Sequence, residues 1–177
     1  AGSDYTRDAL TNQLEDYIGE LTNIKSVAID NGLDEIISDD LVVLSSDVVL
    51  KELKEMKMID MNCDIVISKR IVNYDYIDQV VLIPKGTKVL FVNDVKETAY
   101  ESMEELINLG IDFLDFIPYY PGYEDKIPKV DIAITPGEED KVPRSIKKIY
   151  NLGPRIMDFT TIIQIIHKLD LIEYNSY

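Results

Sequence analysis

The chain has no tryptophan, one cysteine and one histidine among its 177 residues. A lone Cys63 excludes an internal disulfide and suits a reducing compartment, so a cytoplasmic location is expected. The lone His167 lies late in the last helical stretch, so no Ser-His-acid set can be assembled near a turn. Basic residues are also scarce. Eighteen Lys and Arg against 33 Asp and Glu leave a formal net charge of −15. A nucleic-acid surface needs clustered cations to displace counterions, so direct DNA or RNA binding is not expected. The apolar runs are too short to span a bilayer, and there is no signal-peptide core. Neither G-x-x-x-x-G-K-[ST] nor G-x-G-x-x-G occurs, so nucleotide binding by those devices is unsupported.

What remains is a periodic apolar pattern. Hydrophobic residues make up 46% of the chain, enough to bury a core in one domain or in two small lobes. The second half reads most clearly. "TKVLFV" (87–92) is a buried strand, and Tyr100, Met103, Leu106 and Ile107 form a helical stripe that stops at Gly110. "DFLDFIPYY" (112–120) and "KVDIAIT" (129–135) are strands, each stopped by Pro-Gly. A short helix is expected from Pro143, a strand at 154–159 and a buried helix at 160–169. The first half gives a helix from Thr6 to Leu21, a strand or alternatively a helix at 23–30, strands at 40–46 and 63–69, and helices at 48–56 and 74–82. Strands alternating with helices predict an α/β fold with parallel sheets.

The halves overlay at a spacing of roughly 91 residues. "SDYTRDALTNQLEDYIG" lies over "NDVKETAYESMEELINLG", "DDLVVLSS" over "VDIAITPG", and "DIVISKR" over "RIMDFTT". The expected architecture is two Rossmann-like lobes, 4–83 and 87–171, each with helices on both faces of its sheet. "IPKGTK" (83–88) would be a hinge strand. Residues 1–3 read as an expression scar abutting a polar turn. The first lobe then lacks a counterpart of strand 87–92, which is expected upstream in the full protein.

Ligands of open parallel sheets bind beyond the carboxyl ends of the strands. Those ends carry Ser45 and Ser46; Ser68, Lys69 and Arg70; Asn93 and Asp94; Tyr119, Tyr120 and Gly122; Thr135, Gly137 and Glu138; and Asp158, Thr160 and Thr161. All but Glu138 and Asp158 are candidate ligand-binding residues. The simpler account of Ser46, Asp94 and Thr160 is helix capping. Lys69 and Arg70 could grip an anion or balance nearby acids. Tyr119 to Gly122 could wall a small ligand or form a surface turn. A phosphoacceptor role for Asp94 lacks the acidic pair and later lysine it would need. No catalytic residue, metal site or cofactor is expected.

The segments "IDQVVLIPKGTKVLFVNDVKETAYESMEELINLGIDFLDFIPYYPG", "VDIAITPGE" and "NLGPRIMDFTTI" resemble the amino-terminal regulatory region of bacterial sigma-54-dependent transcriptional activators. More loosely, they are similar to the effector-sensing domain of propionate-catabolism activators, which has two Rossmann-like lobes. The likeness is best over 69–170. It implies a non-enzymatic sensory module that binds a small-molecule effector in an interlobe cleft and signals by hinge motion. Its partners would be the ATPase and DNA-binding domains of the same protein, and a homodimer is possible. The rival readings are a protein-interaction or dimerisation module without a ligand, and an enzyme of unrecognised class.

Overall fold

The computed structural model describes residues 1–123, 127 and 129–171. Helix α1 (Asp4–Ile18) leads to β1 (Leu41–Leu44), α2 (Asp47–Met56) and β2 (Asp64–Ile67). A two-residue strand, β3 (Arg70–Ile71), and a single turn, α3 (Asp78–Val81), precede β4 (Lys88–Val92), α4 (Lys96–Asn108) and β5 (Asp115–Tyr119). β6 (Ile132–Thr135), β7 (Lys148–Asn151), β8 (Ile156–Met157) and α5 (Phe159–Lys168) follow. The fold is mixed α/β with parallel sheets. Among the described residues no helix is long and apolar enough to cross a membrane.

The chain divides into two compact units, one of residues 1–70 plus the segment from Ile156 onward, the other of residues 71–155. The division does not fall at 83–87 as the sequence suggested. Residues 83–88 form a tight turn inside the second unit. There Thr87 Oγ1 donates to Pro84 O, and Gly86 N donates to Phe113 O at 2.8 Å. A segment bonded to its neighbours in this way is a turn of the unit, not a free connection.

In the first unit, β1 and β2 pair in parallel, with Leu41 opposite Asp64 and Leu44 opposite Ile67. Alternation along β1 sends Leu41 and Val43 to one face and Val42 and Leu44 to the other. The first face packs with Leu10, Leu14 and Ile18 of α1 and Ile162 and Ile165 of α5. The second packs with Val49 and Leu53 of α2. Helix ends are set by side chains. Ser3 Oγ accepts from Thr6 N, Ser46 Oγ from Val49 N and Asp158 Oδ1 from Thr161 N. Two strand expectations shrink here. Residues 23–28 form no strand, because among the described residues no strand pairs with them, and a 3₁₀ turn (Ile29–Asn31) follows. The strand expected at 154–159 is only β8, since Asp158 is diverted to capping α5.

The second unit has one four-stranded sheet, all parallel, in the order β5-β4-β6-β7. β4 is central, and Val89, Leu90, Phe91 and Val92 are fully buried. Val89 and Phe91 face Leu106 of α4 and Val80 of α3, while Leu90 and Val92 face Val130, Val142 and Ile146. That second face is covered by irregular chain rather than by the helix expected from Pro143. Pro143 O accepts only a turn bond from Ile146 N, and the amides of Lys147 and Lys148 both donate to Asp131 O. Those two bonds draw the segment into β7, a strand the sequence did not suggest. The stretch 74–82, expected as one helix, splits into a 3₁₀ turn (Tyr74–Tyr76) and α3. The Glu105 carboxylate on α4 accepts from Val72 N and from the Tyr74 hydroxyl. Burial first, and that bond second, push the Tyr74 pKa up to about 12.

Because Phe91 fills the space between β4, α4 and β5, Phe91→Ala should cost about 3–5 kcal/mol of folding stability, the usual range for emptying a fully buried aromatic site. Urea denaturation followed by circular dichroism measures it; a loss well under this range would mean that the core collapses around the gap.

Candidate functional site

In the second unit the chain leaves β4 toward β5 on one side, and β6 lies on the other side of β4. The carboxyl ends of β4 and β6 therefore flank a topological switch point, where parallel sheets hold their ligands. Two polar turns meet the sheet there, Asn93-Asp94 after β4 and Thr135-Pro136-Gly137-Glu138 after β6.

Asn93 is 2% exposed. Its backbone N–H continues the sheet by donating to Tyr119 O at 3.1 Å, and its side-chain Oδ1 accepts from Asp94 N at 2.8 Å. Its Nδ2 is buried and finds no acceptor among the described residues. Leaving such a donor unpaired costs about 1–3 kcal/mol, so a bound group that supplied an acceptor there would recover that cost. Asp94 is exposed, and its Oδ1 accepts from Val95 N at 2.9 Å and from Thr98 Oγ1 at 3.0 Å. It thus braces the start of α4 without being its N-cap, which is Val95.

The second turn is built on side chains that accept from backbone. Thr135, fully buried, takes the Glu138 N–H on Oγ1 at 3.0 Å. Gly137 has φ +92°, a conformation that favours glycine, and its N–H donates to Asn151 Oδ1 at 3.0 Å. The same oxygen accepts from Gly153 N at 2.8 Å, and Asn151 Nδ2 donates to Glu139 Oε1 at 2.8 Å. Asn151, at the end of β7, therefore fixes the turn that presents Glu138. Glu138 is partly buried. Burial, followed by the charges of Asp94 and Asp140, raises its pKa, with Lys141 and Arg155 pulling the other way. A half-buried carboxyl with a raised pKa beside a second carboxylate at a switch point is the pattern of a binding or proton-handling site.

At the end of β5 the aromatic group contains Tyr119, Tyr120 and a third ring, Tyr123. The Tyr123 ring centroid lies 5.7 Å from that of Tyr119 and 5.6 Å from that of Tyr120. Gly122, with φ +86°, makes the turn that folds Tyr123 back.

The candidate residues thus separate. Asn93, Asp94, Tyr119, Tyr120, Gly122, Thr135 and Gly137 all sit at strand ends of the second unit. Ser45, Ser46, Ser68, Lys69, Arg70, Thr160 and Thr161 all belong to the first unit. There Ser46 is a helix cap, and Thr161 Oγ1 accepts from Lys69 N at 3.1 Å. Asp158 N donates to Lys69 O at 2.8 Å, so the start of α5 is stitched to the end of β2. Ser45 and Ser68 are buried, and Ser68 Oγ has no partner among the described residues. Thr160 and Lys69 are exposed. The sequence missed Asn151 because β7 went unread. The signal was Asn151 two residues before Gly153, directly after "KIY". Among the described residues no three His, Cys, Asp or Glu come together as a metal-ligand set.

The class this defines is a parallel α/β unit with polar and acidic side chains at its switch point. Comparison with protein-family models, with curated proteins and with solved structures finds no match to the chain.

The raised pKa of Glu138 has a defined consequence for stability. The folded state holds the proton more tightly than the unfolded one, so this group's contribution is complete at low pH and is lost as pH rises through the folded value. Glu138→Gln should therefore melt higher than the parent near neutral pH. That advantage should vanish around pH 4, where ordinary carboxyls are half protonated. Thermal melts across this range check it; an equal advantage at both ends would assign the effect to something other than the proton.

Proposed function

We propose that this chain is a sensory module that binds a small molecule reversibly at the switch point of residues 71–155. The observation that carries the reading is the buried Asn93 Nδ2, without an acceptor among the described residues, beside Asp94 and Glu138 at the carboxyl end of the central strand. A sensor needs donors and acceptors that are incomplete without ligand, so that occupancy shifts an existing conformational equilibrium. With two carboxyls and one amide donor, the edge favours a polar ligand that carries an amine or hydroxyls together with an acceptor for Asn93 Nδ2. The tyrosines at the end of β5 offer it apolar faces.

The strand order β5-β4-β6-β7 supports a Rossmann-like order of parallel strands for this unit. The resemblance of 69–170 to the regulatory region of sigma-54-dependent activators supports a role upstream of transcription control. On this reading the chain recognises an effector and does not turn it over, and its output is a change passed to other domains of the same protein.

A thermal-shift screen of the whole chain against amines, polyols, amino acids and carboxylates tests the reading, and at least one class should raise the melting temperature. Asn93→Leu keeps the side-chain volume. It removes both an unpaired donor worth about 1–3 kcal/mol and a bond worth about 0.5–1.5 kcal/mol, so the unliganded melting temperature should change little. The same variant should lose the ligand response. A full response in Asn93→Leu would remove the amide from the site, and silence across the panel would sink the sensor reading.

A further inference from the structure

A recess of about 730 Å³ opens in the first unit. All of β1 lines one wall and Ile24 to Val27 line another, while α1 contributes Leu10, Leu14 and Ile18, and α2 contributes Val49 and Leu53. β1 is paired with β2 along one edge only; among the described residues no strand pairs with its other edge.

Ala1 sits at this recess and already bonds as a strand residue. Its amine donates to Val27 O at 3.0 Å, and its carbonyl accepts from Ile29 N at 2.9 Å. Bonds to the two residues flanking Ala28 are the pattern of a parallel pair. Gly2 O then accepts from Asp30 N at 3.0 Å, and α1 begins two residues later. β4 shows, within its own unit, what such a position holds. It is an apolar strand between two parallel neighbours, followed by a short polar turn and a helix.

We propose that this recess seats an extended apolar strand of about five residues that runs parallel to β1, pairs with residues 24–28 on its other edge, and continues covalently into Ala1. Its chemistry follows from the walls. Apolar side chains from α1 on one face and α2 on the other require a strand that is apolar throughout rather than alternating. Its continuity with Ala1 follows from register: Ala1 and Gly2 already pair with residues 27–30 in the parallel pattern, so a strand seated between β1 and 24–28 runs directly into them. The same strand explains why 23–28, apolar and β-prone in sequence, stays irregular, since strands form only beside a partner.

The test extends the full chain ahead of Ala1 with Thr-Lys-Val-Leu-Phe-Val, the sequence of 87–92, and compares it with a Gly/Ser extension of equal length. Amide hydrogen exchange at residues 24–28 and 41–44 should slow on the order of tenfold or more with the apolar extension alone, because edge amides become central ones. The melting temperature should rise with it. Equal exchange in the two extended chains would overturn the proposal, and so would failure of the apolar version to fold. Protection that appears only with concentration-dependent dimerisation would also overturn it, since the strand would then enter a second copy.

Discussion

The organisation of residues 71–155 depends on one constraint: β4 has a parallel neighbour on each edge and packed side chains on each face. Four consecutive residues, Val89 to Val92, are removed from water, so none of them can be polar. The first residue beyond them, Asn93, is the first that can carry hydrogen-bonding chemistry. Because the strands are parallel, their carboxyl ends lie along one edge of the sheet. Asn93, Thr135 and Asn151 occupy those ends for β4, β6 and β7. The polar edge is thus a by-product of the register that buries Phe91.

The turns at that edge are held by side chains acting as backbone substitutes. Thr135 and Asn151 between them accept three backbone N–H groups that the sheet leaves unpaired. Each such bond is worth about 0.5–1.5 kcal/mol net, but its larger effect is to make the loop conformation single-valued. That is the preorganisation a binding site needs, since a loop already ordered loses little entropy when it closes on a ligand.

The parts of the fold legible in the sequence were those whose apolar pattern is self-contained. The strands near 88–92, 115–119 and 132–135 are β-rich runs with sharp polar or Pro-Gly ends, and α1, α2, α4 and α5 carry continuous stripes. β7 was hidden because an edge strand with Lys148 and Ile149 exposed needs little hydrophobic signal. The segment 23–30 misled for the opposite reason: its residues suit a strand, but propensity does not supply a neighbour. The division at 70–71 and 155–156 was illegible because the chain leaves the first unit and returns to it, which no local pattern encodes. For the site, Ser46, Asp158 and Asn93 look alike in sequence as polar residues after a strand. Only burial and hydrogen-bond accounting separate two caps from an amide whose Nδ2 lacks an acceptor among the described residues.

The carboxyl of Glu138 would also link any binding at this edge to the pH of the solvent. Burial and the charges of Asp94 and Asp140 make it hold its proton more tightly than an ordinary surface glutamate does. A positively charged group docking beside it and Asp94 would expel that proton into the buffer. The heat of docking would then vary with the ionisation enthalpy of the buffer chosen, and occupancy would tighten as the medium turned alkaline. Binding of that kind would couple solute to acidity without a histidine at the site.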